Sequence, residues 1–204
     1  IEIRGNTMNI GLIIIGDELL NGSTQDCNML YLGEKLRHLG AKLSTCQVIT
    51  DEENEIKNTF EHFSTSFDLV ICSGGLGPTK DDRTKMALSQ FTGTKLEENS
   101  IAAKLVTKHY EKRNLKWQPE LNSYHFIPSG ILPIENPCGL APGLHYKTNQ
   151  TEILCAPGVP REFQAMVDLF LSSHQNFQTQ KERNFFTIRT QGIPEERIFN
   201  KLCL

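Results

Sequence analysis

Residues 9–15, NIGLIII, are nearly all apolar and mostly β-branched, the pattern of a strand covered on both faces in a parallel sheet. Gly16 ends it. After a polar loop, Met29, Leu32, Leu36 and Leu39 recur at helical spacing, with Gly40 where a C-terminal cap belongs. Residues 43–49 form the next expected strand. Thr50 followed by Glu53 has the spacing of a capping box, and Ile56, Phe60 and Phe63 then make the apolar stripe of a second helix. A third strand is expected at 69–73. Strand, helix, strand, helix, strand within about 65 residues is the rhythm of a doubly wound α/β sheet with right-handed crossovers.

A glycine-rich loop at 74–82 leads into a short helix marked by Met86, Leu88 and Phe91 and closed by Gly93. A longer helix is expected over 99–112. It carries Lys104, Lys108 and Lys112, with Arg113 and Lys116 just beyond. Ile101, Leu105 and Val106 are left to pack, so the basic run reads as a solvated face rather than a nucleic-acid patch. Prolines at 119, 128, 133, 137 and 142 punctuate an irregular stretch. Residues 143–146 and 152–156 read as a hairpin that adds antiparallel strands to the sheet, and 160–171 as a helix with proline in its first turn. The expected organisation is a main domain at 8–171 and a polar linker at 172–184. A fresh strand at 185–190 and a helix at 194–202 would then open a truncated second domain at 185–204. Met8 reads as the natural start, with 1–7 an upstream remnant.

Charge narrows the partners. Twenty-one Lys and Arg against 24 Asp and Glu leave a formal charge of −3 over 204 residues, so neutralising a nucleic-acid backbone is not the main task. The longest apolar stretches, 12–15 and 69–72, are strand-sized, far short of the ~20 residues of a membrane span. The amino end lacks the layout of a signal peptide. The six cysteines, Cys27, Cys46, Cys72, Cys138, Cys155 and Cys203, form no CxxC pair and no zinc-like cluster, which suits free thiols in a reducing cytoplasm. Neither nucleic acid nor membrane is an expected partner.

The candidate chemistry sits in loops that follow strands, where ligands bind in open α/β sheets. Gly16-Asp17-Glu18 puts two carboxylates at a strand end, able to hold a metal or to cap the next turn. The loop Gly74-Gly75-Leu76-Gly77-Pro78-Thr79-Lys80-Asp81-Asp82 is more informative. Its three glycines let backbone amides approach a ligand closely, and the following helix offers its positive end to a phosphate. It matches neither GxxxxGK[ST] nor GxGxxG. Asp81 and Asp82 beside a phosphate cradle call for a divalent cation between them and the anion; the alternative is that Asp82 caps the helix starting near Thr84. A third set, residues 136–143 and 156–162, holds two Pro/Gly turns that explain rigid structure by themselves. Cys72 ends a buried strand and reads as a core thiol, and the six histidines show no metal spacing.

Together these loops resemble the N-terminal domain of the CinA (competence/damage-inducible) family, related to the molybdopterin-binding domains of MogA and MoeA. The resemblance runs from Met8 to about Leu171. It rests on GDELLNG at 16–22, GGLGPTKDDRT at 74–84, NPCGLAPG at 136–143 and PGVPREF at 157–163, in that order. It implies a three-layer α/β/α sandwich with a mostly parallel sheet. It further implies a cytoplasmic pyrophosphatase that uses Mg²⁺, Mn²⁺ or Co²⁺ to split ADP-ribose, or a related dinucleotide, into AMP and ribose 5-phosphate. Asp17, Asp51 and Asp82 would hold the metal, and Asp51, Asp81 and Asp82 would serve catalysis. Gly16, Asn28, Gly74, Gly75, Gly77, Thr79, Asn122, Gly143, Pro157 and Gly158 would contact the substrate. The family also implies a homo-oligomer. Two departures stand out: Asn122-Ser123-Tyr124-His125-Phe126 where the family usually reads NRKQA, and Leu140 where it carries threonine. They remove polar donors, which leaves a non-catalytic molybdopterin- or nucleotide-binding module as the alternative.

Overall fold

All six residues of β1 (Ile10–Ile15) are buried in the computed structural model, which describes residues 8–178, 191–194 and 197. Alternation along the strand divides them between two cores, because successive side chains point to opposite faces. Ile13 and Ile15 join one cluster, and Ile10, Leu12 and Ile14 the other. The same alternation places Val70 and Cys72 of β3 (Leu69–Ser73) on the first face and Leu69 and Ile71 on the second.

The sheet has the order β2-β1-β3-β8-β7-β6, where β2 is Leu43–Ile49, β6 Leu132–Ile134, β7 Gly143–Lys147 and β8 Glu152–Ala156. β2, β1, β3 and β8 run parallel, and β7 and β6 add two antiparallel strands at one side. α3 (Glu53–Ser66), α4 (Thr84–Thr92) and α5 (Ser100–Glu111) cover the first face through residues such as Phe60, Leu88 and Ala102. α2 (Asn28–His38), α6 (Pro160–Ser173) and the short α7 (Gln175–Gln178) cover the other through Leu36, Phe163 and Phe177. This is the expected three-layer sandwich. Each large apolar side chain fully buried in either core contributes about 1.5–3 kcal/mol.

Several local expectations are corrected. The polar loop after β1 contains a short helix, α1 (Asp17–Leu20). The capping box at Thr50 does not form: the Thr50 hydroxyl bonds Glu55 and accepts from the Glu52 N–H, and no side chain caps α3. Met86 and Ile101 face solvent, and Ala87 and Ala102 take core positions instead, while Val106 is buried as expected. The irregular proline-rich stretch holds β6 and β5 (Phe126–Pro128), which pairs with β4 (Leu96–Glu98) in a separate two-stranded sheet. Three-residue strands are too short for their alternation to be read from sequence. Ser172 and Ser173, expected in the linker, complete the last turn of α6, and Phe177 is buried just beyond it. The strand expected at 185–190 lies outside the described residues, as does nearly all of the helix expected at 194–202.

The amino ends of β3 and β8 carry a polar cluster. Glu152 accepts from Lys147 Nζ at 2.8 Å and bonds His145 Nε2 at 2.7 Å and His174 Nε2 at 3.2 Å, tying β7, β8 and the end of α6. Burial alone would raise this carboxyl, but Lys147, His174 and His145 together hold it below the usual glutamate range. A cleft of about 580 Å³ opens here, at the opposite ends of the strands from the glycine loop. Among the described residues no helix is long and apolar enough to cross a membrane, and Cys27, Cys46, Cys72, Cys138 and Cys155 are free.

Candidate functional site

The four parallel strands all end on one side, so the loops beginning at Gly16, Thr50, Gly74 and Pro157 meet there. Asn28, the first residue of α2, stitches two of them. Its Nδ2 donates to Ser73 Oγ and to the Gly158 carbonyl, each at 2.9 Å. Its Oδ1 is buried without a partner, beside a small pocket of about 90 Å³. The Gly74 N–H bonds the Ala156 carbonyl at 3.0 Å, and the Gly158 Cα faces Gly74 closely.

The glycine loop turns through two left-handed residues, Gly74 (φ 115°) and Gly75 (φ 67°). A side chain at Gly74 would stand 2.4 Å from the Ile15 carbonyl oxygen, so only glycine lets this loop lie against β1. Thr84 locks the turn to α4. Its hydroxyl donates to the Gly74 carbonyl at 2.9 Å and its N–H to the Gly75 carbonyl at 3.1 Å.

Asp82 does not cap α4. Its Oδ1 accepts from the Gly77 N–H at 2.8 Å, and its Oδ2 from the Thr79 N–H at 2.9 Å and the Thr79 hydroxyl. The carboxylate therefore holds its own loop in shape. Thr79 also influences the neighbouring acid: its hydroxyl, ahead of Asp81's own N–H and Arg83, keeps the exposed Asp81 carboxyl below the usual range. Of the three glycine amides expected to face a ligand, Gly74 and Gly77 are already committed. The Gly75 and Leu76 N–H groups have no partner among the described residues.

These two residues line a cleft of about 320 Å³, together with Gly77, Asp82, Arg113, Tyr124, Gly158 and Glu162. Glu162 is fixed by Asn136, whose Nδ2 donates to its Oε2 at 2.7 Å and to the Ala141 carbonyl at 3.0 Å. The Asn136 Oδ1 accepts from Cys138 and Gly139, so one buried side chain shapes the whole 136–141 turn.

Asp17 and Asp51 lie beside this cleft's loops rather than in its lining. Asp51 Oδ2 accepts from the Asp17 N–H at 2.9 Å. Burial lifts the Asp51 carboxyl above its ordinary value against that bond, and the charges of Asp17, Glu18 and Asp81 push it the same way. Among the described residues, no three acidic, imidazole or thiol groups converge as a metal-ligating set. Hard carboxylates in mutual repulsion are nevertheless the donor chemistry a Mg²⁺-type ion takes, and such an ion commonly uses only one or two carboxylates plus substrate phosphates. Asp17 and Asp51 fit that demand; Asp82 serves the loop.

Other expected contacts fall elsewhere. Asn122 is engaged by Trp117 Nε1 at 3.0 Å and by the Tyr110 hydroxyl at 3.2 Å, outside the cleft lining. Gly143 is a packing position, where a side chain would meet Met166 and the Cys155 carbonyl. Gly16 is the residue before α1. Sequence reasoning gave no site role to Thr84, Asn136, Glu162 or Arg113, although the first three lie within the motifs at 74–84, 136–143 and 157–163.

Lys85 holds the residue before Tyr124. Only 8% exposed, it sits in the first turn of α4 and donates to the Ser123 carbonyl at 2.8 Å. Burial pushes its ammonium down to about 8, against the opposing pull of Asp82. The unfolded chain keeps the ordinary 10.5, so between about pH 8 and 10.5 it binds more protons than the folded state and stability rises with pH. Across that window the wild-type protein is expected to gain about 3 kcal/mol relative to Lys85→Met, at 1.36 kcal/mol per pH unit. Urea denaturation of both proteins at the two ends of the window measures it.

A family model described as a probable molybdopterin binding domain matches residues 11–175. The crystal structure of CinA from Thermoplasma acidophilum, a protein described there as of unknown function, superposes with a TM-score of 0.72. It is 33% identical and is covered over 97% of its length by 81% of this chain. The chain belongs to the CinA family of molybdopterin-binding domains. A putative competence-damage inducible protein of Pediococcus pentosaceus is 37% identical over 161 residues, 79% of this CinA-family chain and 39% of that protein. A protein of Pyrobaculum arsenaticum is 38% identical over 157 residues, 77% of this chain and 59% of its own length. The chain thus spans less than two thirds of these relatives. The molybdopterin biosynthesis enzyme MoaB of Thermus thermophilus shares the fold, with a TM-score of 0.56 at 21% identity over 81% of this chain and 90% of that one.

Proposed function

We propose that this CinA-type domain binds the phosphates of a nucleotide in the cleft over the glycine loop and hydrolyses the pyrophosphate bond of ADP-ribose or a related dinucleotide. The observation that carries the reading is the pair of unpartnered N–H groups of Gly75 and Leu76, side by side at the carboxyl end of β3 and bordering the cleft. Successive amides in a left-handed turn form an anion-binding concavity. Asp82 and Thr84 keep those amides aimed without reorganisation, the condition under which backbone donors stabilise developing negative charge. Asp17 and Asp51 would hold a divalent cation such as Mg²⁺, Mn²⁺ or Co²⁺. When bound, such an ion supplies charge neutralisation and a more acidic water. Water adds to one phosphorus and the bridging oxygen leaves with the other, giving AMP and ribose 5-phosphate from ADP-ribose.

The second reading is a cytoplasmic binding module that holds molybdopterin or a nucleotide unchanged. It is favoured by one observation, the commitment of both Asp82 oxygens inside the loop. Incubation of the purified chain with ADP-ribose, FAD and NAD⁺ under a panel of divalent cations, with an EDTA control, separates the two. Cation-dependent release of AMP supports the enzyme. Binding without any phosphate ester released supports the module.

A further inference from the structure

The cleft over the glycine loop has one charged group left without an internal partner. Asp82 is satisfied by Gly77 and Thr79, and Glu162 accepts from Asn136. The Arg113 side chain makes no hydrogen bond or ion pair among the described residues, yet it lines the cleft. It is brought there by a sharp exit from α5: its N–H bonds the Tyr110 carbonyl at 3.0 Å, and the next residue, Asn114, is the one non-glycine with a left-handed backbone (φ 56°) among the described residues. Beside it Tyr124 packs its ring on the core and presents a hydroxyl with no partner among the described residues. Burial, then the neighbouring Tyr110, Asp82 and Glu162, raise that phenol, so it stays a protonated donor at neutral pH, with Arg113 opposing the shift.

Resting on the proposed nucleotide reading, we propose that Arg113 and Tyr124 form a phosphate-recognition subsite that selects for a ligand's phosphate charge, in the same cleft as the Gly75 and Leu76 amides. A guanidinium presents paired N–H donors matched to two phosphate oxygens, and the phenol adds a third donor. These donors and the two amides then share one cleft in which an anion would sit. Arg113 is exposed, so its replacement is expected to leave the fold intact.

Trp117 is the single tryptophan, and its ring stands 4.9 Å from that of His125, next to Tyr124, so its fluorescence reports filling of this subsite. Wild-type, Arg113→Gln, Arg113→Lys and Tyr124→Phe proteins are titrated with ADP, inorganic pyrophosphate and adenosine, once in Mg²⁺ and once in EDTA. Isothermal calorimetry runs in parallel, and thermal midpoints serve as the folding control. Arg113→Gln is expected to weaken ADP and pyrophosphate on the order of ten-fold or more and adenosine less than two-fold, with a flatter salt dependence. Arg113→Lys should fall between, and Tyr124→Phe should lose about three-fold for the phosphates alone. Unchanged ADP affinity in Arg113→Gln, when the wild type binds ADP, overturns this inference and leaves the nucleotide reading standing. Equal weakening of adenosine also overturns it. A wild-type protein that binds neither ADP nor pyrophosphate, with Mg²⁺ or without it, overturns the nucleotide reading itself, and this subsite with it.

Discussion

Gly74→Ala is expected to lower the thermal midpoint by roughly 10 °C and to abolish nucleotide binding. The added methyl would lie 2.4 Å from the Ile15 carbonyl oxygen and adopt a φ of 115°, two penalties with no soft neighbour to absorb them. The obstructing atom is backbone at the end of β1, an interior strand of the sheet, so either β1 or the loop must move. Left-handed strain and overpacking together cost about 3 kcal/mol or more, and a domain of this size shifts by about 2–4 °C per kcal/mol. Moving the loop would also break the Thr84 bond to the Gly74 carbonyl and turn the Gly75 and Leu76 amides away from the cleft. Gly33 provides the control. It lies in α2 with nothing within 4 Å of an added methyl, so Gly33→Ala is expected to stabilise by about 0.5–1 kcal/mol. Differential scanning calorimetry of the two variants tests both signs in one experiment.

Asp82→Asn is expected to reduce kcat/KM for ADP-ribose on the order of 100-fold, about 2.7 kcal/mol of transition-state stabilisation. The amide keeps one acceptor oxygen but sets an NH₂ group against donors that need acceptors, so either the Gly77 bond or the Thr79 pair is lost. The loop would open, and with it the alignment of Gly75 and Leu76. Titrations in EDTA give the readout that separates this loop-holding role from metal ligation. A loop-holding Asp82 weakens nucleotide binding when altered even without a cation. An Asp82 that only ligated metal would leave metal-free binding untouched and raise the cation requirement instead.

Sequence patterning carried the layered architecture because β1 and β3 are near-continuous apolar runs, Ile10–Ile15 and Leu69–Ser73, buried on both faces. β4, β5 and β6 were not legible, since three residues hold less than two full periods of a strand. At the site, the sequence located the glycine loop and the Asp17 and Asp51 acids. It could not foresee what those groups do to one another. Asp82 reads as an acid free to meet a ligand, yet Gly77 and Thr79, within five residues of it, consume its oxygens. Asn122 was drawn to Trp117 and Tyr110 by packing across the 110–122 turn, a tertiary effect with no periodic trace. Arg113 merged into a basic run, because nothing in its spacing shows that the exit from α5 leaves it lining the cleft.

The central claim is that ligand phosphate meets the chain at the carboxyl ends of the strands, although the larger cleft lies at their amino ends around Glu152. Backbone amide chemical shifts recorded during titration with ADP-ribose and Mg²⁺ test it directly. The account predicts the largest changes at Gly75, Leu76, Gly77 and Gly158, with His145, Glu152 and His174 unmoved. Shifts centred on the Glu152 cleft, with the glycine loop silent, would contradict it.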